Sequence, residues 1–91
     1  MSNWMQNNDA NSPVIYVKTT SSLIIKILEI DKANPGKFQL VVELKPSGNT
    51  IFYTIFICGS CREKDIKSMA NSIVRDYASI TISRMNELLN S

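Results

Sequence analysis

The sequence predicts an α+β fold, in which an antiparallel sheet of three or four strands is followed by a long C-terminal helix. Two observations lead to this prediction. Residues 14–58 contain β-branched and aromatic runs separated by turn residues, and in residues 38–45 apolar side chains alternate with mostly polar ones, which is the period of a β-strand. After Gly59 the apolar spacing becomes three to four residues, which is the period of a helix. A chain of 91 residues encloses one core and no more.

The first twelve residues predict a flexible arm. They read MSNWMQNNDANS, with four Asn, one Asp and no apolar periodicity. We therefore expect an arm over residues 1–12 and a single α+β domain over residues 13–91.

The first half of the domain predicts two strands. Residues 14–18, VIYVK, are β-branched and aromatic and follow Pro13, which is typical of a short edge strand. Residues 21–30, SSLIIKILEI, are apolar on both faces of a strand, apart from Lys26. A strand of that kind is either covered on both sides or meets a partner through its outer face.

Two more strands are separated by recognisable turns. Residues 31–36 contain Pro-Gly, in which Pro presets φ and Gly accepts a positive φ. Residues 38–45 alternate cleanly, and a second turn at 46–49 leads into residues 50–58, TIFYTIFIC. This last strand has the highest apolar density, so we place it centrally or against a dimer partner.

The remaining residues predict one long helix. Ser60 and Glu63 have the spacing of a capping box, so the helix should begin near Cys61. The β-branched run at 78–83 leaves open a bend or break near Ala78. An unbroken helix to Leu89 would be roughly 43 Å long, against roughly 27 Å for an eight-residue strand, so its apolar end would project.

Charge is nearly balanced, with ten Lys and Arg against eight Asp and Glu. A net charge of +2, on dispersed basic residues, does not favour nucleic acid. Binding of single-stranded nucleic acid is kept as an alternative, because the aromatic side chains Phe52 and Phe56 could stack bases. Its candidate residues are Lys18, Lys26, Lys45 and Phe52.

The sequence predicts a cytoplasmic protein that does not cross a membrane. Its longest apolar runs are about eight residues, against the roughly twenty that a spanning helix needs. Residues 1–13 lack the basic and apolar regions of a secretory signal. Two cysteines, three residues apart, are too few for a disulfide framework.

Cys58 and Cys61 form a Cys-x-x-Cys motif at the predicted junction of a strand and a helix. A helix N-terminus stabilises the thiolate that attacks a disulfide. Over residues 52–73 the segment resembles a thioredoxin-like active site, which implies thiol redox chemistry at Cys58 and Cys61. The rest departs from that family, because strands precede the motif and no Pro follows Pro46. The alternative is a buried Cys58 acting as a small hydrophobe.

We expect no enzyme, no catalytic residue and no cofactor. The chain has no His, its carboxylates are scattered, and each of its three glycines is accounted for by a turn. A metal site is not expected either, since two Cys supply half of a closed zinc site.

These observations predict a small protein-binding module, an adaptor or inhibitor, that forms a homodimer. It has more apolar surface than one helix covers, on two strands and on the helix end. The predicted interface residues are Ile24, Leu28, Phe52, Phe56, Ile82, Met85, Leu88 and Leu89.

Overall fold

The computed structural model describes residues 4–31 and 33–90 and has the predicted α+β fold. The chain divides into two compact units. Met1–Cys61 contains the strands, and Arg62–Ser91 contains the helix. The strands are β1 (Met5–Gln6), β2 (Val14–Thr19), β3 (Leu23–Glu29), β4 (Lys37–Leu44) and β5 (Thr50–Ile57), and the helix is α1 (Glu63–Asn90).

The sheet is an antiparallel meander of five strands in the order β1-β2-β3-β4-β5. The predicted count of three or four strands is therefore slightly too low. The additional strand is β1, in which Met5 lies opposite Val17 of β2. It falls in the predicted arm, where the Asn-rich sequence gives no strand pattern. The flexibility of residues 1–12 and the domain boundary after them stay predictions.

The chain turns between β3 and β4 where Pro35-Gly36 predicts it. The Asp31 carboxylate accepts hydrogen bonds from the Ala33 N–H at 2.9 Å and from the Asn34 side-chain amide at 2.8 Å. Gly36 has a φ of +103°, and a Cβ built there would lie 3.1 Å from the carbonyl oxygen of Cys58. This turn needs glycine for its backbone angle and for the close approach of another segment.

One face of the sheet carries the core of its unit. The register places Ile27 of β3 opposite Leu40 of β4, and both are fully buried. Phe38 lies opposite Phe56 of β5, with ring centroids 5.6 Å apart. We call the other side of the sheet the open face, because its outermost strand leaves its side chains exposed.

The helix α1 is unbroken from Glu63 to Asn90, about 42 Å at 1.5 Å per residue. It begins two residues later than predicted, and its first backbone bond runs from the Ile66 N–H to the Arg62 carbonyl at 2.9 Å. The alternative of a break near Ala78 is therefore wrong. Helix propensities differ by less than about 0.7 kcal/mol among ordinary residues, so a short β-branched run does not end a helix.

Candidate protein-binding surface

Strand β5 exposes a row of large apolar side chains on the open face. Tyr53, Ile55 and Ile57 are 65%, 54% and 69% exposed, and Ile51 is also exposed. They alternate with Phe52, Thr54 and Phe56, which point to the opposite face. Because β5 ends the sheet order, this row lies along an outer edge of the sheet.

The open face next to this row carries apolar, polar and charged side chains of β4. Val41 of β4 lies opposite Tyr53 and is half-buried. A shallow depression of about 260 Å³ is lined by Gln39, Val41, Thr50 and Tyr53. Two charged residues of this face, Lys26 and Glu43, form an ion pair at 3.0 Å. The face therefore combines an apolar strip with this ion pair and with Lys37 of β4, which lies opposite Ile57 at one end of the strip.

The backbone N–H and C=O groups of alternate β5 residues point outward from the edge of the sheet. The Cys58 N–H donates to the Gly36 carbonyl at 2.8 Å, so the Cys58 backbone points toward β4. Backbone direction alternates along an antiparallel strand, and the register of β5 is regular from Phe52 onward. The N–H and C=O groups of Tyr53, Ile55 and Ile57 therefore point away from β4. The residues that expose apolar side chains also direct their backbone outward.

The last part of α1, residues 78–90, forms a second apolar surface that we call the helix tail. All of its residues are exposed except Thr81, which is half-buried. Leu88 and Leu89 are 68% and 78% exposed. Leu88 follows the buried Ala70 by about five full helical turns, so it lies on the same side of the helix. The large exposed apolar residues of the tail are Ile80, Ile82, Met85, Leu88 and Leu89.

The predicted interface residues fall into three groups. Ile24 and Leu28 are half-buried on the open face, and the four predicted helix residues are exposed in the tail. Phe52 and Phe56 lie on the core face instead. Phe56 is only 6% exposed and packs against Phe38, so it is not available to a partner in this structure. Phe52 is half-buried.

Sequence reasoning missed the residues that β5 exposes, which are Tyr53, Ile55 and Ile57. Both faces of this strand are apolar, so its own sequence does not show which face is buried. The available signal was in β4, whose clean alternation identifies Phe38 and Leu40 as core residues. The turn at 46–49 pairs β5 with β4, so the alternation in β4 also indicates which side chains of β5 face the core.

The residues of the nucleic-acid alternative do not gather on one surface. Lys18 lies opposite Ile25, on the core-face side, with its ammonium 5.7 Å from the centre of the Trp4 ring. Lys26 is on the open face and is paired with Glu43. The Lys45 ammonium donates to the Thr20 carbonyl at 3.2 Å. The nucleic-acid alternative stays a prediction, although these contacts do not form a basic stripe.

The two cysteines of the motif have different environments. Cys58 is buried and Cys61 is exposed, and both are free thiols. The Cys58 Sγ lies 3.5 Å from the Ser60 Oγ, and the Cys61 Sγ donates to the Cys58 carbonyl at 3.6 Å. Cys61 also has a φ of +53°, which is uncommon for a residue with a side chain. The redox alternative stays a prediction, and a Cys58→Ser, Cys61→Ser variant would test it.

A depression of about 320 Å³ lies near the loop between β1 and β2. Two of the side chains that line it form hydrogen bonds within this loop: the Asn7 side-chain amide donates to the Val14 carbonyl at 2.9 Å, and the Asp9 carboxylate accepts from the Asn11 N–H at 3.0 Å. Across residues 4–31 and 33–90, no three His, Cys, Asp or Glu side chains are grouped to hold a metal ion. Within the same residues, no helix combines the length and hydropathy needed to span a membrane.

Comparison of the chain with protein-family models, with curated proteins and with solved structures found no significant match.

Proposed function

We propose that this protein is a non-enzymatic protein-binding module, an adaptor or an inhibitor, that self-associates through the open face of its sheet and through its helix tail. The observation that supports the proposal best is the row of exposed apolar side chains on β5. Contiguous exposed apolar surface is costly in water and is typical of a surface that binds another macromolecule.

The sheet supports this proposal because its exposed residues are contiguous. Tyr53, Ile55 and Ile57 follow one another at two-residue steps, roughly 6.8 Å apart along the strand. Tyr53 adds a ring with a polar end, a combination that is enriched at protein interfaces. Val41 extends the strip onto β4.

The helix tail supports the proposal independently. Ile80 and Leu88 continue the side of the helix on which Ile66 and Ala70 are buried, whereas Ile82 and Leu89 lie on the opposite side. An amphipathic helix is stabilised mainly by burying its apolar side. The large apolar side chains of the tail are all exposed, so a partner that covers them would stabilise this part of the helix.

The kind of partner follows from charge. Nucleic acid requires several cations that face the same phosphate backbone, whereas Lys18, Lys26 and Lys45 each have a contact elsewhere. An apolar surface with little net charge fits a protein partner. We place the module in the cytoplasm because its closely spaced cysteine pair is not a disulfide framework.

Light scattering on the purified, reduced protein tests this function directly. We expect the mass of a dimer, and we expect Leu88→Lys with Leu89→Lys to weaken the association, because two charges would be placed in an apolar contact. The matched control is Ser83→Lys with Asn86→Lys, which adds the same charge to exposed polar positions of the tail.

The control variant should keep the wild-type mass. A monomeric wild-type protein over the whole accessible concentration range would contradict self-association. A dimer that both double variants weaken equally would show that net charge, rather than the apolar tail, is responsible.

A further inference from the structure

Strand β5 is an edge strand without the usual protection. Natural edge strands are blunted by Lys, by Pro, by bulges or by being very short, since open backbone groups invite another strand. β5 has eight residues with no charge and no Pro. Its single irregularity lies at its start, where the register shift opposite Val42 and Glu43 leaves Ile51 as the extra residue. The outward backbone groups of Tyr53, Ile55 and Ile57 form a regular edge.

Charge favours a second copy of the same strand as the occupant of this edge. Like charges placed opposite each other across two strands are destabilising. Two β5 strands bring no charged side chains together. Behind this edge, Lys26 and Glu43 form an ion pair within one sheet, and Lys37 lies opposite Ile57 at the end of β5. A strand from another protein that carried charges would place them against apolar side chains without a counter-charge.

The side chains restrict the register of such a pair. Core-face residues must lie opposite core-face residues for the two sheets to form one continuous sheet. An antiparallel pair centred on Thr54 meets this condition and overlaps residues 51–57. It places Tyr53 opposite Ile55 of the other copy, which is a favourable pair of an aromatic and a β-branched side chain, and it keeps Phe52 and Phe56 on the core side of both sheets. Centring on Ile55 shortens the overlap to residues 53–57 and places Thr54 opposite Phe56.

We infer that two copies of this chain pair antiparallel through β5, about a twofold axis at Thr54, and form one continuous ten-stranded sheet. This inference rests on the proposed self-association and specifies the strand and the register through which it occurs. The hydrogen-bonded pairs join Tyr53 of each copy to Ile55 of the other. The two Thr54 residues form a pair without hydrogen bonds, with Cα atoms about 4.5 Å apart.

Disulfide trapping tests the register. The background is Cys61→Ser, which removes the exposed thiol and keeps the buried Cys58. Thr54→Cys in this background should crosslink to a covalent dimer under mild oxidation, because Cα separations of about 4.4–6.8 Å permit a disulfide. Ile57→Cys is the matched control on the same strand. In the proposed register, the thiols that this change introduces in the two copies are six residues apart along the strands, or about 20 Å, and should not crosslink.

A charge at the edge provides the second measurement. Ile55→Lys should convert the dimer to a monomer by light scattering, whereas Ile55→Thr keeps a strand-forming uncharged residue and should remain a dimer. Circular dichroism of both variants shows whether the fold is kept.

The outcomes separate the register from the function. A wild-type dimer in which Thr54→Cys fails to crosslink, or in which Ile57→Cys or Ile55→Cys crosslinks faster, overturns the β5 pairing and leaves self-association standing. A wild-type monomer overturns both. Trapping of Thr54→Cys alone, with loss of the dimer in Ile55→Lys, is the expected result.

Discussion

Gly36 and Gly48 both have positive φ angles in hairpin turns, but only Gly36 lies against another segment. A Cβ at Gly36 would meet the Cys58 carbonyl oxygen at 3.1 Å, whereas a Cβ at Gly48 would have no atom within 4 Å. The Gly36 carbonyl also accepts the Cys58 N–H, which fixes the end of β5 beside the start of β4.

We expect Gly36→Ala to lower the free energy of unfolding by about 1–3 kcal/mol, because it combines a strained backbone with a tight contact. Gly48→Ala is the control and should cost less, about 1 kcal/mol, from its backbone angle alone. Urea denaturation measures both values. Equal losses would show that the contact with Cys58 contributes nothing.

Asp31 makes the stability of the turn between β3 and β4 depend on pH. The side-chain amide of Asn34 donates to its carboxylate and, with the Ala33 N–H, holds the pKa of Asp31 below its ordinary value. A group whose pKa is lower in the folded state stabilises the fold above its unfolded pKa, about 3.9 for Asp. That contribution is lost as the pH falls from there through the folded pKa.

We expect Asn34→Ala to raise the pKa of Asp31 toward its ordinary value, because the largest cause of the shift is removed. A pH titration of the Asp31 carboxyl followed by NMR measures the change. Asn49→Ala, an exposed Asn in the other turn, should leave this pKa unchanged. An unaltered titration in Asn34→Ala would contradict the hydrogen bond.

Among the elements, the strands with clear alternation were the most predictable from sequence. The predicted strand at 38–45 corresponds to β4 at Lys37–Leu44, and the predicted strand at 50–58 corresponds to β5 at Thr50–Ile57. β1 was missed because two residues in an Asn-rich segment carry no period, and its backbone pairs with β2 whatever its side chains are. Periodicity locates strands that bury a face, and β1 does not bury one.

The helix shows a different limit of sequence reasoning. Its apolar stripe predicted the element, while the β-branched run at 78–83 suggested a break that is not present. Propensity is a weak preference within a long helix. The sequence also predicted that Met85, Leu88 and Leu89 would be left over, but it could not decide what covers them.

We expect the helix tail to exchange its amide hydrogens faster than residues 66–77 in dilute solution, because it buries almost no apolar surface. Hydrogen exchange measured at low and high protein concentration tests this. Protection of the tail should increase with concentration if a second copy covers it. Equal and concentration-independent protection along α1 would contradict a role for the tail in association.

At the scale of the whole molecule, self-association links stability to concentration. Anything that binds only the folded chain stabilises it by mass action, and a second copy acts as such a ligand. We therefore expect the Tm of the wild-type protein to rise with protein concentration. Ile55→Lys should remove most of this dependence, while Ile55→Thr should keep it.

Scanning calorimetry over a range of protein concentrations measures the effect. A Tm that does not change with concentration in any variant would count against a dimer of the folded chain.

A contact between apolar side chains should also resist added salt, whereas nucleic-acid binding weakens steeply as counterions compete for phosphate.

The two-residue length of β1 determines how far assembly through the sheet could proceed. In a dimer paired through β5, both free margins of the joined sheet are formed by β1, which in the described part of the chain consists of Met5–Gln6. A margin of two residues offers few backbone groups to an incoming strand. Growth of the sheet into a filament is therefore unfavourable. Assembly through the sheet alone would therefore stop at two chains, because only the β5 margin is long enough to pair with another copy.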